Sequence, residues 1–393
     1  MPPATVAPAH KGGGTDTFMR SLFELAQRDG SGIRFDFVAL APEDEAMPPP
    51  PGVSVSFVRS RILNALLFTF REGRNPLANV VLLIATSGTL AVRALVQVRR
   101  ERYDAVYGVG GPIAGLAAAI VGGIHRLPAA VHFHWAYRFA AAGRMVRSVV
   151  RRFYERFTLV IGNSRLLAED AAALGVRKTR FVWVYNWVDN TFFRPLPNRD
   201  EIRRKWDLPP DRFVFLYAGR FDWSKQVDRI IAALRANRYD ATFLFAGDGT
   251  LGPELEALAP FNDVRVLGTR AADELVELHN AADVLLWGSV DVDYPGLVVM
   301  EAMASGLPVA TANTSMNPLY PDVAVDAGIL GGPGLTRHYP ASPQGIDAAI
   351  RDSLARRNEL AALRPAARRF AVERFGESNA QTFLDLLTSL KRT

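Results

Sequence analysis

Short runs of β-branched and aliphatic residues alternate along the chain with longer segments that have helical periodicity. This alternation is typical of parallel β-α-β units, and it argues against a β-sandwich or a helical bundle. The predicted strands cover residues 4–7, 34–39, 54–58, 105–108, 129–133, 159–162 and 181–185 in the first half, and residues 213–218, 242–246, 264–267, 284–287 and 309–311 in the second. We therefore predict an α/β fold with two doubly wound parallel sheets.

A polar, proline-containing stretch separates the two halves. It covers residues 190–206, NTFFRPLPNRDEIRRKW, and it lacks strand periodicity, so we interpret it as the linker between two domains. Ligands of doubly wound sheets bind at the carboxyl ends of the strands. A cleft between the domains is therefore the expected binding site.

Composition restricts the class of protein. The chain has 393 residues, of which 49% are hydrophobic and 22% charged, as in globular proteins of two or three domains. It contains no cysteine, which excludes disulfides, thiol catalysis and cysteine-ligated metal centres. The net charge of +6, from 46 basic and 40 acidic residues, does not by itself select a partner.

The distribution of apolar residues predicts a cytoplasmic protein. The N-terminus, MPPATVAPAHKGGG, lacks the basic start and the apolar run of a signal peptide. An apolar, uncharged stretch covers residues 76–92, which is shorter than the roughly 20 residues that span a bilayer. We interpret this stretch as a buried helix.

The densest set of functional features lies in residues 291–306, DVDYPGLVVMEAMASG. A helix is predicted to begin at Leu297, directly after a strand and a loop, and to end at Gly306 in a left-handed C-cap. The free N–H groups at such a helix start bind phosphate. Glu301, one turn into the helix, can accept hydrogen bonds from ribose hydroxyls, and Asp293 lies in the preceding loop. A solvent-facing position is the alternative interpretation of Glu301.

Three further loops follow predicted strands. Arg220 and Lys225 lie in the loop of YAGRFDWSKQV, where two cations can hold a diphosphate, although loop cations are commonly only solvated. Residues 247–249, Gly-Asp-Gly, form a sharp turn that is weak evidence for a phosphate site. Near the N-terminus, residues 11–15 contain three adjacent glycines that permit close approach of a ligand to the backbone.

Taken together, these motifs resemble those of the retaining GT-B glycosyltransferases of family 4. In the second half, Asp293 and Glu301 enclose seven residues before the run AMASG, Arg220 is followed by Lys225, and a Gly-Asp-Gly turn lies between these segments. In the first half, GGGTDTF, VHFHWAY and YNWVDNTFFRP are similar to the family's glycine-rich loop, strand-end histidine and Asn-Gly-Val-Asp segment. The resemblance covers nearly the whole chain.

The resemblance implies a GT-B fold, in which two Rossmann-like domains face each other across a cleft. Residues 1–192 would form the acceptor-binding domain, and residues 193–366 the domain that binds a nucleotide-sugar. Residues 367–393 would form a C-terminal helix that packs back on the N-terminal domain.

The resemblance also implies the roles of individual residues. Arg220, Lys225 and the N–H groups at 296–298 would hold the diphosphate of a UDP- or GDP-sugar, and Glu301 the ribose. The catalytic positions would be His134, Asp293, Arg220 and Lys225. The other positions that the resemblance assigns to the donor are Gly13, Gly14, Gly219, Gly247, Asp248, Thr269, Arg270, Gly296, Leu297 and Val298.

Two of these assignments have competitors. His132 has the same strand facing as His134 and is the alternative to it for lining the reacting sugar. Asp291 and Asp293 spell the acid-x-acid motif that holds a metal in the other major glycosyltransferase fold. Because the surrounding motifs belong to the GT-B pattern, we expect this spelling to be a coincidence, and we expect neither a required metal nor another cofactor.

We therefore expect a retaining hexosyltransferase that acts on a glycan, lipid-linked or small-molecule acceptor, with no nucleic-acid partner. Asp293 replaces the family's first Glu, and Tyr294 and Pro295 stand where Gly and Phe are usual. These departures motivate one alternative, a catalytically degenerate subunit that binds a sugar nucleotide. An NAD-dependent oxidoreductase is disfavoured because neither half has a G-x-G-x-x-G turn that opens a helix.

One further segment has two interpretations. Residues 144–157, RMVRSVVRRFYERF, place apolar side chains on one helical face and arginines on another. The first interpretation is a helix that packs on its own domain and has a solvated face. The second is peripheral docking to anionic lipid at the inner face of the membrane, near a lipid-linked acceptor.

Overall fold

A computed structural model describes residues 14–28, 36–41, 54–59, 76–99, 102–109, 111–134, 139–163, 165–288, 296–312, 336–340 and 342–390 of the chain. These residues fall into two compact units. Among the described residues, the C-terminal unit contains 185–379, and the N-terminal unit contains 14–184 together with 380–390. The sequence-based division was at 192/193, with a further boundary at 366/367.

The C-terminal unit is built on a six-stranded parallel sheet with the order β12-β11-β10-β7-β8-β9. The chain proceeds outward from β7 in both directions, so the order reverses between β7 and β10, which is where doubly wound sheets bind ligands. The strands are β7 (Phe213–Ala218), β8 (Ala241–Ala246), β9 (Asp263–Gly268), β10 (Val284–Trp287), β11 (Val309–Ala312) and β12 (Thr336–Tyr339). All residues of β7, β8 and β10 are buried, as expected for strands covered by helices on both faces.

The N-terminal unit contains a four-stranded parallel sheet with the order β3-β4-β5-β6 and a two-stranded parallel pair, β1-β2. The strands are β1 (Asp36–Ala41), β2 (Ser54–Arg59), β3 (Val106–Val109), β4 (Ala129–Phe133), β5 (Leu159–Gly162) and β6 (Arg180–Trp183). Because β3 to β6 are adjacent in chain order, right-handed crossovers place their connecting helices on one face of the sheet.

Helices connect the strands of both units. Those described in the N-terminal unit are α1 (Gly14–Arg28), α2 (Pro76–Val98), α3 (Pro112–His125), α4 (Arg144–Tyr154) and α5 (Arg165–Ala173). Those described in the C-terminal unit are α6 (Arg199–Lys205), α7 (Val227–Ala236), α8 (Gly252–Glu256), α9 (Ala272–Ala281), α10 (Leu297–Ala304), α11 (Pro343–Ala355) and α12 (Arg357–Arg374). The last helix, α13 (Glu377–Thr388), packs Phe383 against Phe18 of α1, with ring centroids 5.2 Å apart.

The predicted doubly wound parallel folds are confirmed, and the predicted strands from residue 34 onward occur with small shifts of their ends. The predicted strand at 4–7 lies outside the described residues. Strand β12 was not predicted, because its sequence, TRHY, is polar.

Two other predictions are wrong in part. The linker at 190–206 contains helix α6, whose first turn carries Asp200 and Glu201 and whose last turn carries basic residues, as the helix dipole favours. The stretch at 76–92 is a helix, but it extends to Val98 and one of its faces is exposed. None of the described helices has the length and apolarity needed to cross a bilayer.

A group of partly buried ion pairs attaches α6 to the sheet of the C-terminal unit. Asp283 accepts hydrogen bonds from the Val214 amide at 2.8 Å and from Arg199 Nη2 at 2.7 Å, and it lies 3.6 Å from Arg203 Nη1. The Arg203 side chain is 3% exposed, whereas Asp240, which pairs with Arg212, is 94% exposed. The pair of Asp283 and Arg203 has therefore lost more of its contact with water than the pair of Asp240 and Arg212.

We predict that Asp283→Ala destabilises the C-terminal unit by about 3 kcal/mol, because it leaves a buried guanidinium without its carboxylate. Asp240→Ala removes an exposed partner and is the matched control, with an expected loss of less than about 1 kcal/mol. Urea unfolding of the two variants measures the difference. Equal losses for both variants would contradict this account of the Asp283 pair.

Candidate functional site

The loops that follow β7, β8 and β9 are joined by backbone hydrogen bonds at the carboxyl ends of the strands. The Gly219 amide donates to the Ala246 carbonyl at 2.9 Å, and the Gly247 amide donates to the Gly268 carbonyl at 2.8 Å. The Phe221 amide donates to the Asp248 carbonyl at 2.8 Å. These bonds bring three of the predicted donor-binding loops into one structure.

Glycine is required where the first two loops meet. Gly247 has a φ of +148°, and a Cβ there would lie 1.9 Å from the Gly219 carbonyl oxygen. Gly249 has a φ of +155°, and a Cβ there would lie 2.5 Å from the Phe221 carbonyl oxygen. The Gly-Asp-Gly turn is therefore needed for backbone approach between neighbouring loops, which a tight turn alone would not require.

Arg220 and Lys225 are held in one short loop by Asp222. The Asp222 carboxylate forms an ion pair with Arg220 Nη1 at 3.1 Å, and it accepts a hydrogen bond from the Lys225 amide at 3.1 Å. That second bond caps the 3₁₀ turn at Trp223–Lys225. The Tyr217 hydroxyl fixes the start of the loop by donating to the Arg220 carbonyl at 2.9 Å. The Arg220 side chain is 58% exposed, so its guanidinium remains accessible to an anion.

Trp287, the last residue of β10, lies between the predicted phosphate-binding elements. Its ring stacks on Tyr217, with centroids 5.5 Å apart, and lies 5.6 Å from Lys225 Nζ in a cation–π arrangement. A Cβ on Gly219 would lie 3.2 Å from this ring, and one on Gly296 would lie 3.6 Å from it. Trp287 therefore connects the loop after β7 with the start of α10.

The start of α10 is organised as predicted. Gly296 is the N-cap and has extended backbone geometry, and no side chain caps the helix. The first intrahelical hydrogen bond is donated by the Val299 amide to the Gly296 carbonyl, so the amides of Leu297 and Val298 precede it. Gly306 follows the helix with a φ of +77°, as expected for a left-handed C-cap.

Glu301 lies one turn into α10 and is partly buried. Its carboxyl group forms no hydrogen bond or ion pair in the part of the chain that the structure describes. Burial raises the pKa of Glu301 to about 7. This pKa is high for a solvent-facing helix residue. Because the carboxyl group has no partner among the described residues, it is available to a ligand that donates hydrogen bonds.

The remaining donor positions of the C-terminal unit follow β9. Gly268 has a φ of +71°, and Thr269 accepts a hydrogen bond from Arg270 Nε at 3.1 Å. Arg270 also pairs with Glu274 at 3.4 Å, in the first turn of α9. The backbone of this loop is therefore fixed next to the Gly247 turn.

In the N-terminal unit, His134 directly follows β4 and is 5% exposed. Its ring lies 4.4 Å from that of His132 and 5.3 Å from that of Phe18, measured between centroids. His132 Nε2 donates to Asn163 Oδ1 at 2.6 Å. Burial lowers the pKa of His134 to about 4 and also lowers that of His132, so both rings are neutral at pH 7.

The structure thus brings together the predicted residues that follow β7 to β10, and it describes His134 in the other unit. Gly14 is the first residue of α1, while Gly13 and Asp293 lie outside the described residues. Sequence reasoning missed Trp287, Asp222 and Tyr217, which position the two cations. Asp222 was visible as a polar residue between them, whereas the role of Trp287 depends on contacts that are distant in sequence.

Comparisons with known proteins identify the family of both halves of the chain. Residues 198–370 match the family model described as glycosyl transferases group 1, and residues 13–187 match the glycosyl transferase 4-like domain. Sulfoquinovosyl transferase SQD2 of Arabidopsis thaliana is 24% identical over 64% of this chain and 51% of its own length. A GDP-mannose-dependent phosphatidylinositol monomannoside mannosyltransferase of Mycobacterium tuberculosis is 30% identical over 54% of this chain and 58% of its own.

The chain spans about half the length of these curated relatives. Among solved structures, that of Anabaena Alr3699/HepE in complex with UDP matches with a TM-score of 0.65 and 20% identity, over 91% of this chain and 100% of that one. At this identity the match establishes the fold.

We predict that Gly247→Ala disrupts the junction of the loops after β7 and β8 and destabilises the C-terminal unit by at least about 2 kcal/mol. Gly252→Ala is the matched control. A Cβ at Gly252 would make only an ordinary contact, 3.9 Å from Phe221, so we expect a change within about 0.5 kcal/mol. Urea unfolding measures both variants, and a Gly247→Ala protein as stable as Gly252→Ala would refute the required backbone approach.

Proposed function

Because the chain belongs to the group 1 glycosyltransferases, we propose that it transfers a hexose from a UDP- or GDP-sugar to an acceptor hydroxyl, with retention of anomeric configuration. The observation that carries this proposal is the convergence on Trp287 of Lys225, of Gly219, which directly precedes Arg220, and of Gly296 at the start of α10. Two cations and free helix amides form a site for a diphosphate. No required metal is part of the proposal.

The same site supplies the chemistry. In the transfer, the bond between the anomeric carbon and the β-phosphate oxygen breaks, and a bond to the acceptor oxygen forms on the same face of the sugar. Negative charge grows on the departing diphosphate, where Arg220, Lys225 and the amides of α10 stabilise it without reorganisation. The proton of the acceptor hydroxyl passes to the leaving phosphate. Asp293 and His134 are proposed to orient the sugar.

The donor and the acceptor are assigned to different units. We propose that Glu301 accepts hydrogen bonds from the ribose hydroxyls, and that the backbone at Gly268, Thr269 and Arg270 contacts the base. We propose that the N-terminal unit holds the acceptor. The similarity to the phosphatidylinositol monomannoside mannosyltransferase of Mycobacterium tuberculosis, whose acceptor is a lipid, supports a lipid-linked acceptor.

A donor panel tests the function. We expect either uridine diphosphate or guanosine diphosphate to raise the melting temperature of the protein, and we expect no rise with NAD. A ligand at 100 times its Kd stabilises the native state by about 2.7 kcal/mol, so binding is measurable as such a rise. Arg220→Ala and Lys225→Ala should each lower the rate of donor hydrolysis or sugar transfer by about 10² to 10³ while the protein stays folded. Arg235→Ala, an exposed arginine of α7, is the matched control.

Three outcomes would contradict the proposal in different ways. Near-wild-type rates in Arg220→Ala and Lys225→Ala would remove the diphosphate site. Stabilisation by NAD alone would indicate a dinucleotide enzyme. Nucleotide binding without hydrolysis or transfer, over a panel of sugar nucleotides, would identify a binding subunit that lacks catalytic activity.

The raised pKa of Glu301 predicts a pH-dependent affinity for the nucleoside diphosphate. If the ionised carboxylate accepts the ribose hydrogen bonds, its population rises about tenfold between pH 6 and pH 8 around a pKa of about 7, and the affinity rises with it. Calorimetric titration of wild type and Glu301→Gln measures this effect, because titration of the nucleotide phosphate is common to both proteins. Identical pH profiles would show that Glu301 does not bind the ligand as a carboxylate.

A further inference from the structure

Helices α2, α3 and α4 form one layer on the N-terminal unit, with α3 in the middle. On one side of α3, Ala117 and Val121 share a buried cluster with Leu90 and Ala91 of α2. On the other side, a Cβ at Gly115 would lie 3.3 Å from the Phe153 ring of α4. The outward surfaces of the three helices are therefore neighbours.

This layer exposes apolar side chains to an unusual extent. Of the twelve large hydrophobic residues that are exposed in the described part of the chain, eight lie in these three helices. They are Ile84, Val92 and Val96 in α2, Ile120 and Ile124 in α3, and Met145, Val146 and Val149 in α4. Met145 and Val149, one turn apart, are 80% and 58% exposed. Clusters of this kind mark interaction surfaces, whereas single exposed apolar residues do not.

The outer face of α2 is also open. Gly88 lies between Ile84 and Val92, and a Cβ there would meet no atom within 4 Å. A shallow hollow follows this face and is lined by Ile84, Ala85, Gly88, Thr89, Val92, Arg93 and Val96. An apolar chain can therefore lie along α2 without displacing a side chain.

The charge of the layer is entirely of one sign. Helices α2, α3 and α4 contain no Asp or Glu, while Arg93 lies in α2 and Arg144, Arg147, Arg151 and Arg152 lie in α4. The side chains of Arg144, Arg151 and Arg152 are exposed and make no ion pair within the described residues. The layer thus combines aliphatic side chains with unneutralised cations.

We propose that this layer, α2 to α4, docks the protein onto the surface of a bilayer that contains anionic lipid. Exposed valine, isoleucine and methionine enter the boundary between headgroups and acyl chains, and the arginines contact lipid phosphates. A second copy of the chain is a poorer occupant, because it would bring arginines against arginines. The docking is argued from the surface of the layer alone and does not depend on sugar transfer. A lipid-linked acceptor, by contrast, rests on the proposed function.

Vesicle flotation tests the docking. The probes are vesicles of phosphatidylcholine alone and vesicles in which about a third of the lipid is phosphatidylglycerol. We expect binding to the second kind only, and weaker binding at 0.5 M salt, where the Debye length falls to a few ångströms. The double variant Arg144→Gln/Arg151→Gln should bind about tenfold or more weakly. The double variant Met145→Ser/Val149→Ser should lose a similar amount through its apolar contacts.

Matched controls lie on the C-terminal unit. Arg204→Gln/Arg235→Gln removes the same charge from exposed positions, and Val372→Ser removes an apolar side chain that is 41% exposed. These controls should bind vesicles like the wild type. The nucleotide-induced change in melting temperature serves as the folding check for every variant, so that loss of docking and loss of the donor site are distinguished.

Three results would overturn the inference. The first is that the protein does not bind the anionic vesicles. The second is that the substitutions in α4 weaken vesicle binding no more than the control substitutions do. The third is self-association in analytical ultracentrifugation that Met145→Ser/Val149→Ser abolishes, which would make the layer an interface between copies of the chain.

Discussion

The site of the C-terminal unit depends on the close approach of two backbone segments, the Gly219 carbonyl and the Gly247 Cα. The approach leaves no room for a side chain at residue 247, where a Cβ would lie 1.9 Å from the Gly219 oxygen. It allows the loop after β8 to bond to the loops after β7 and β9 at the same time. Since Arg220 directly follows Gly219, the position of the guanidinium depends on this contact between main chains and on the ion pair with Asp222.

Sequence patterns predicted most of the fold because buried parallel strands appear as continuous apolar runs. They failed where local sequence and tertiary role differ. Strand β12 is polar and belongs to the sheet through pairing with β11, and the hydroxyl of its last residue, Tyr339, donates to the Trp287 carbonyl at 2.8 Å. Helix α6 was predictable from its acidic first turn and basic last turn, but the prolines before it favoured the interpretation as linker.

The candidate site divides in the same way. Arg220, Lys225, Gly247 and Glu301 were identifiable because they occupy loops or helix starts after strands. Trp287 was not, because an apolar residue at the end of an apolar strand gives no local signal. The Trp287 ring is held in the site by stacking on Tyr217, which lies 70 residues earlier in the chain.

Arginine is used in two physically different ways in this chain. In the C-terminal unit, Arg199, Arg364 and Arg368 donate to main-chain carbonyls, including those of Asn280, Ala282 and Ala304 at or next to the C-terminal ends of α9 and α10. These arginines satisfy carbonyl groups that the helices leave unpaired. In α4 the arginines are exposed and point to no acidic neighbour on their own helix. The net charge of +6 does not distinguish these two uses of arginine, whereas the burial and the hydrogen-bond partners of each side chain do.

His132, in β4, and His134, directly after β4, bear on how a transfer reaction would be catalysed. Burial keeps both rings neutral at pH 7, and the bond to Asn163 restrains His132. A neutral His134 with a pKa of about 4 is a poor general acid at that pH, since its protonated form is scarcely populated. The departing diphosphate would then need its stabilisation from fixed charge, the role that we propose for Arg220, Lys225 and the start of α10. The neutral state of His134 thus favours the proposed electrostatic mechanism over one that relies on general acid catalysis by this histidine.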